Sequence, residues 1–173
     1  MPKPLDEARL RDLALAYVAR FATSTGKLEA YLKRKLRERG WAGEDEPDLR
    51  AIVSRYAELG YVDDAAYARA KSGELLRRGY GQRRVDQALG QAGIGEGLRT
   101  AVTASEHEAR DAAVRLARKR RFGPFSVGPV DRTLREKQLA AMIRAGHGFE
   151  HARAALAAAS EDEAEAWVSE AIE

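Results

Sequence analysis

The sequence predicts an all-helical protein, an elongated, curved array of three tandem three-helix repeats with an acidic helix at the C-terminal end. Three observations carry that reading. Ala, Leu, Arg and Glu dominate while β-branched residues are few, so local preference favours helix throughout. Apolar residues recur at the i, i+3, i+4 spacing of a buried helix face, not at the alternation of a strand. Gly40, Gly93 and Gly146 each close an amphipathic stretch and stand 53 residues apart, twice. A glycine just past a helix end adopts the left-handed conformation that stops the helix, so its recurrence marks equivalent turns.

The elements follow in order. Leu10, Leu13, Ala14, Tyr17 and Phe21 form a first stripe, Leu28, Leu32 and Leu36 a second, and Leu49, Ile52, Val53, Tyr56 and Leu59 a third, with Pro47 suited to the first turn of the third helix. A helix through Tyr67 and Ala70 comes next, then one through Val85, Ala88, Leu89 and Ala92, then a short one around Leu98, Ala101 and Val102. Ser105 and Glu108 form a capping box for a helix through Ala113, Leu116 and Ala117. The stretch 122–129, with two prolines and two glycines, interrupts it. Asp131 caps the following helix, with Leu139, Met142 and Ile143 inward, and a last body helix runs through Phe149, Ala152 and Leu156. Four positions before the three glycines lie Leu36, Leu89 and Met142; eight before lie Leu32, Val85 and Gln138, where the third breaks the apolar pattern. The resulting repeats are 1–60, 61–104 and 105–159, with an acidic amphipathic tail at 160–173. Three-helix units of this size bury little surface alone and complete their core by stacking on neighbours. One compact bundle with coincident glycine caps is the alternative.

The chain has 173 residues, 45% apolar and 33% charged, and no cysteine. That excludes a disulfide framework, a thiolate zinc site and a cysteine nucleophile, and it fits a reducing compartment. No apolar run approaches the roughly 20 residues of a membrane span, and residues 1–7 lack a signal-peptide stretch. A soluble, cytoplasmic protein with no membrane partner is expected. Thirty Lys and Arg face 27 Asp and Glu, but Glu161, Asp162, Glu163, Glu165, Glu170 and Glu173 all fall in the tail. Residues 1–160 therefore carry 30 bases against 21 acids, a charge of +9 that points to a polyanion partner. In the tail, Ser160 with Glu163 forms a capping box and Ala164, Trp167, Val168, Ala171 and Ile172 mark one apolar stripe, the signature of an acidic helix that docks on the basic body and screens it.

Catalytic signals are weak. His147-Gly148-Phe149-Glu150-His151 matches H-x-x-E-H, which binds zinc through two histidines one helical turn apart, but His147 follows the capping Gly146 and belongs to a turn. Gly93-Ile94-Gly95-Glu96-Gly97 has neither the preceding strand nor the Lys-Ser/Thr of a phosphate loop, and reads as a helix-to-helix turn. Asp63 next to Asp64 reads as an N-cap, not a cation cage. No catalytic residue, metal or cofactor is expected.

Clustered basic residues stand out instead. Arg77, Arg78, Arg83 and Arg84 flank Gly79-Tyr80-Gly81. Arg115, Arg118, Lys119, Arg120 and Arg121 precede Phe122. Lys27, Lys33, Arg34, Lys35, Arg37 and Arg39 cover the outer face of the second helix. Such faces neutralise backbone phosphates or an acidic protein groove. Aromatics are too sparse for a base-stacking platform; Tyr80 and Phe122 alone lie beside basic runs.

At Gly60-Tyr61-Val62-Asp63-Asp64-Ala65-Ala66-Tyr67-Ala68, Leu75-Leu76-Arg77-Arg78-Gly79-Tyr80-Gly81 and Arg83-Arg84-Val85 the sequence resembles the RecX family. The first repeat resembles it at Leu28-Glu29, Leu32-Lys33-Arg34-Lys35-Leu36 and Arg39-Gly40, and the third at Arg118-Lys119-Arg120-Arg121-Phe122-Gly123 and Ala145-Gly146-His147-Gly148-Phe149, so the likeness spans about 8–157. It implies tandem three-helix repeats and a non-enzymatic regulator that binds the RecA recombinase and its single-stranded DNA filament. Inhibition of strand exchange, coprotease function and ATP hydrolysis in DNA repair and the SOS response is implied with it. It also implies that Arg77, Arg78, Arg83 and Arg84 form the middle basic patch and Arg118, Lys119, Arg120 and Arg121 the third. Lys33, Arg34 and Arg37 of the second helix are expected to join them in a monomer, with direct contact to single- or double-stranded DNA left open. The tail after Ser160 has no counterpart in that pattern. The alternative is a general DNA-binding repeat protein or helix-turn-helix-like repressor, with Gln82 and Arg83 posing as a base-reading pair.

Overall fold

The computed structural model describes residues 1–172 and is helical along its length. The helices are α1 (Glu7–Arg20), α2 (Thr25–Arg39), α3 (Leu49–Glu58), α4 (Asp64–Arg77), α5 (Gln82–Gln91), α6 (Glu96–Ala101), α7 (Glu106–Arg120), α8 (Arg132–Arg144), α9 (Phe149–Ala157) and α10 (Glu161–Ser169), with a 3₁₀ turn at Gly123–Phe125 between α7 and α8. Short polar side chains start them. Asp6, Ser24, Asp48, Asp131 and Ser160 accept amide N–H groups of the first turns of α1, α2, α3, α8 and α10. Asp63 does the same for α4 through the Ala66 amide, at 3.0 Å. Ser105 and Glu108 make the reciprocal box expected for α7. At α10 the box is half formed: Ser160 accepts from the Glu163 amide, but Glu163 reaches back to the Ala159 amide and not to that of Ser160. Gly40, Gly93 and Gly146 all have positive φ, at 79°, 74° and 101°, but Gly40 is the C-cap of α2 with ψ 171°, outside the left-handed helical region, whereas Gly146 follows the Ala145 cap of α8. Pro47 lies before the Asp48 cap, outside the first turn of α3.

The chain forms two compact units, one of residues 1–68 with 90–98, the other of residues 69–89 with those from Arg99 onward. In the first, α2 packs on α1 and α3 and buries Leu28 and Leu32 against Leu5, Leu10, Ala14, Ile52, Val53 and Val62. In the second, α7 packs on α9 and α10, and α8 on α9, around Val114, Leu116, Phe125, Met142, Leu156 and Val168.

Six residues placed on apolar faces stand exposed, among them Ala101 at the end of α6 and Ile172 beyond α10. Phe21 and Leu59 are the residues that end α1 and α3, where the chain turns away. Phe149 opens α9 before its inward face is established, and in α4 Ala68 is buried in place of Ala70. Gln138, the exception in the apolar row, is buried because its side-chain oxygen accepts the Gly123 amide at 2.9 Å. The tail is not an appendage. Ala164 and Val168 of α10 belong to the core of the second unit; Glu173 lies outside the described residues.

Each of the three glycine turns receives backbone from earlier in the chain. At the first, Leu5 donates to the Gly40 carbonyl at 2.9 Å and accepts from the Ala42 amide at 2.8 Å. In the first unit the Ser24 hydroxyl donates to the Ala92 carbonyl at 2.5 Å, and a Cβ on Gly26 would overlap Ala92 and Gly93. In the second unit Gly81 donates to the Ala145 carbonyl and Arg83 to that of Gly146, at 2.9 and 3.1 Å, and a Cβ on Gly81 would strike the Gly146–His147 peptide. The same kind of seam, made by the start of one second helix and the turn ending the next, occurs in both units.

Candidate partner-binding surface

In the second unit the turn between α4 and α5 is fixed from below. Gly79, with φ 90°, lies against Leu116 of α7, close enough that an added Cβ would sit about 3.0 Å from its backbone. The His147 ring, 3% exposed, donates from Nε2 to the Gly79 carbonyl at 2.7 Å. Burial pushes its pKa below the ordinary histidine value, so the ring stays neutral. The turn thereby presents Tyr80 on the body, half-buried against the core, with the Arg78 and Arg84 guanidinium carbons 5.3 and 5.1 Å from its ring centroid. Each is within cation–π range and is held by the ring, not neutralised by it. Arg77, Arg78, Arg83 and Arg84 are all exposed. Among the described residues only Arg78 of these four has an acidic partner, Glu74, at 3.3 Å. Hydrogen bonding by Lys71, with help from Arg78, holds the Glu74 carboxyl below its usual range.

The second cluster is divided. Arg118 pairs with Glu165 of α10 and lies over Phe125, and Arg115 pairs with Asp111. Lys119, Arg120 and Arg121 are exposed with no ion pair among the described residues. Arg121 closes α7 in the left-handed region at φ 57°, a conformation uncommon for a side chain of this size; its carbonyl accepts the Ser126 hydroxyl. Arg110, which sequence reasoning missed, donates to the Trp167 carbonyl at 2.7 Å and stacks on the Trp167 ring at 4.9 Å. Partners 57 positions apart leave no local signal.

In the first unit, Lys33 and Arg34 pair along α2 with Glu29 and Glu38, at 2.7 and 3.7 Å, and Arg37 is exposed. Such exposed pairs are weak and exchange readily. Arg39 instead holds the Lys3 carbonyl. Asp64 accepts the Thr25 amide and hydroxyl at 2.8 and 2.7 Å, a second cap on α2 from 39 positions away.

The zinc-like histidines do not converge on one ligand. His147 is committed to Gly79, and His151 Nε2 lies 3.0 Å from Glu106. Among the described residues no three His, Cys, Asp or Glu side chains gather as a metal site. Gln82 is also committed: its oxygen accepts the Ala104 amide at 2.8 Å and its nitrogen donates to Asp86 at 3.0 Å, which removes it from base reading. Among the described residues no helix is long and apolar enough to cross a membrane.

No protein-family model matches the chain. The regulatory protein RecX of Myxococcus xanthus is 32% identical over 157 residues, 86% of this chain and 84% of that protein. That of Halorhodospira halophila is 30% identical over 154 residues, 89% and 90% of the two. The crystal structure of RecX from Lactobacillus salivarius shares the fold, with a TM-score of 0.67 and 16% identity over 86% of this chain and 93% of that one. With likeness of this extent along most of both lengths, the chain belongs to the RecX family.

Proposed function

We propose that this protein is a non-enzymatic cytoplasmic regulator that binds RecA and its filament on single-stranded DNA through exposed basic faces. It lowers recombinase, coprotease and ATPase activity. The observation that carries the reading is the exposed Arg78-Tyr80-Arg84 stack, with Arg77 and Arg83 beside it, in the stretch that most resembles the family. Guanidinium groups held by a ring and left without full ion pairing are ready for phosphates or carboxylates. Lys119, Arg120 and Arg121 extend the reading to the third repeat, and Lys33, Arg34 and Arg37 to the first. The recurring seam supports the division into three-helix repeats at 1–60, 61–104 and 105–159. A monomer suffices for this role. The acidic α10 screens α7 through Glu165 and Glu170, which face Arg118 and Arg110. The repressor alternative is weakened by the commitment of Gln82.

The deciding experiment is RecA ATP hydrolysis on single-stranded DNA with this protein titrated in at two salt concentrations. Substoichiometric inhibition that fades with salt supports the reading. No inhibition at concentrations where the protein binds bare DNA overturns it in favour of general DNA binding.

A further inference from the structure

Seven consecutive residues, 131–137, are exposed although six of them lie in α8. The 53-residue period explains why. The starts of α2 and α5 are covered by the glycine turns at Gly93 and Gly146, whereas among the described residues no such turn covers the start of α8. Gly26 and Gly81 make that close approach at the starts of α2 and α5, whereas Arg132, the first residue of α8, is almost fully exposed.

Beside this free end runs a groove of about 390 Å³ between α8 and α9. Its floor is apolar, made by Leu139 and Leu156, and its rim carries Arg132, Arg135 and Arg153 against the single carboxylate of Glu136. Arg135 has no ion pair among the described residues, and Arg132 and Arg153 make only exposed pairs along their own helices. The lining offers no aromatic ring for base stacking and no amide for reading a base edge. Phosphates would meet the guanidinium groups and leave the floor unused.

We infer that this groove docks an acidic amphipathic segment of a protein partner, apolar side chains on Leu139 and carboxylates on Arg132, Arg135 and Arg153. The inference rests on the proposed RecA reading and deepens it, by naming a surface that meets protein where the Tyr80 face meets polyanion. Charge complementarity selects the occupant, and the continuity of the groove with the uncovered seam position places it.

The test uses the full chain with three probes: oligo-dT, RecA assembled on oligo-dT, and a fluorescein-labelled helical peptide of Glu, Leu and Ala. Arg135→Glu with Arg153→Glu should weaken filament and peptide binding about tenfold and leave oligo-dT binding within about twofold. Ala157→Trp, which fills the groove from an exposed rim position, should do the same without a change of charge. Circular dichroism confirms that both variants stay folded. Unchanged binding of filament and peptide by both folded variants overturns the inference. So does an equal loss of oligo-dT binding, which would make the groove a phosphate face. If the wild-type chain ignores RecA altogether, the proposed function falls, and the peptide arm still decides the groove.

Discussion

The two basic regions of the second unit differ in how far acids offset their arginines. Around Tyr80 the cations are stacked on a ring and remain charged toward solvent. On α7, Arg110 and Arg118 face acids of α10, 60 and 47 positions away in the chain. Equal density of arginine in a sequence thus corresponds to unequal availability on the surface. Rings hold cations in both regions, Tyr80 in one and Trp167 and Phe125 in the other; what separates them is the acids, a single exposed Glu74 for Arg78 against Glu165 and Glu170 for the α7 arginines.

The largest test of this difference is mechanical. Gly81→Ala pushes a methyl group into the Gly146–His147 peptide and should cost about 3 kcal/mol. It should also take DNA binding by the Tyr80 face with it. Gly97→Ala, inside α6 where an added Cβ meets nothing within 4 Å, is the clash-free control and should stabilise by up to about 1 kcal/mol in denaturant unfolding. Next, Arg83→Glu with Arg84→Glu should weaken single-stranded DNA binding about 10- to 100-fold at low salt. The slope of log affinity on log salt should shrink by roughly 1.4, two contacts at about 0.7 each. Helicity should be unchanged, and a matching loss of it would refute the surface role. Glu165→Gln with Glu170→Gln should raise DNA affinity about threefold by freeing α7, the scale of exposed ion pairs. Unchanged affinity would make α10 purely structural.

The smallest effect is on pH dependence. His147 titrates lower in the folded chain than its ordinary value of 6.5, so below that pH the unfolded chain takes up the proton first. This residue's contribution to stability is therefore complete above about pH 6.5 and declines as pH falls toward the folded value. His147→Gln should flatten that part of a melting-temperature profile. An unaltered profile would mean that the ring does not pin the Tyr80 turn.

Much of the fold was legible in the residues. Caps at Ser105, Asp131 and Asp63 act within three residues, and the glycine turns announce themselves by period, so local chemistry locates them. Gln138 was not legible as a core residue, because its burial depends on the Gly123 amide supplied by an irregular turn. The double role of Asp63 and Asp64 was half legible: the first caps its own helix, the second a helix 39 positions earlier. The site divides in the same way. The basic clusters could be read directly, but the pairing of Arg118 with Glu165 and the occupation of Gln82 depend on which helices meet. So does the exposure of the α8 end, which a stripe of apolar residues cannot foretell.

The seams also set a clock for the growing chain. The Ser24 hydroxyl finds its acceptor 68 residues later, and the Gly79 carbonyl its histidine partner 68 residues later again. At a synthesis rate of about 5–20 residues per second, each seam waits roughly 3–14 s for its second half. During that interval the start of α2, and then the turn before α5, is made but uncovered. Nascent protein is therefore open to proteases and chaperones at these helix starts until the matching turn has been made.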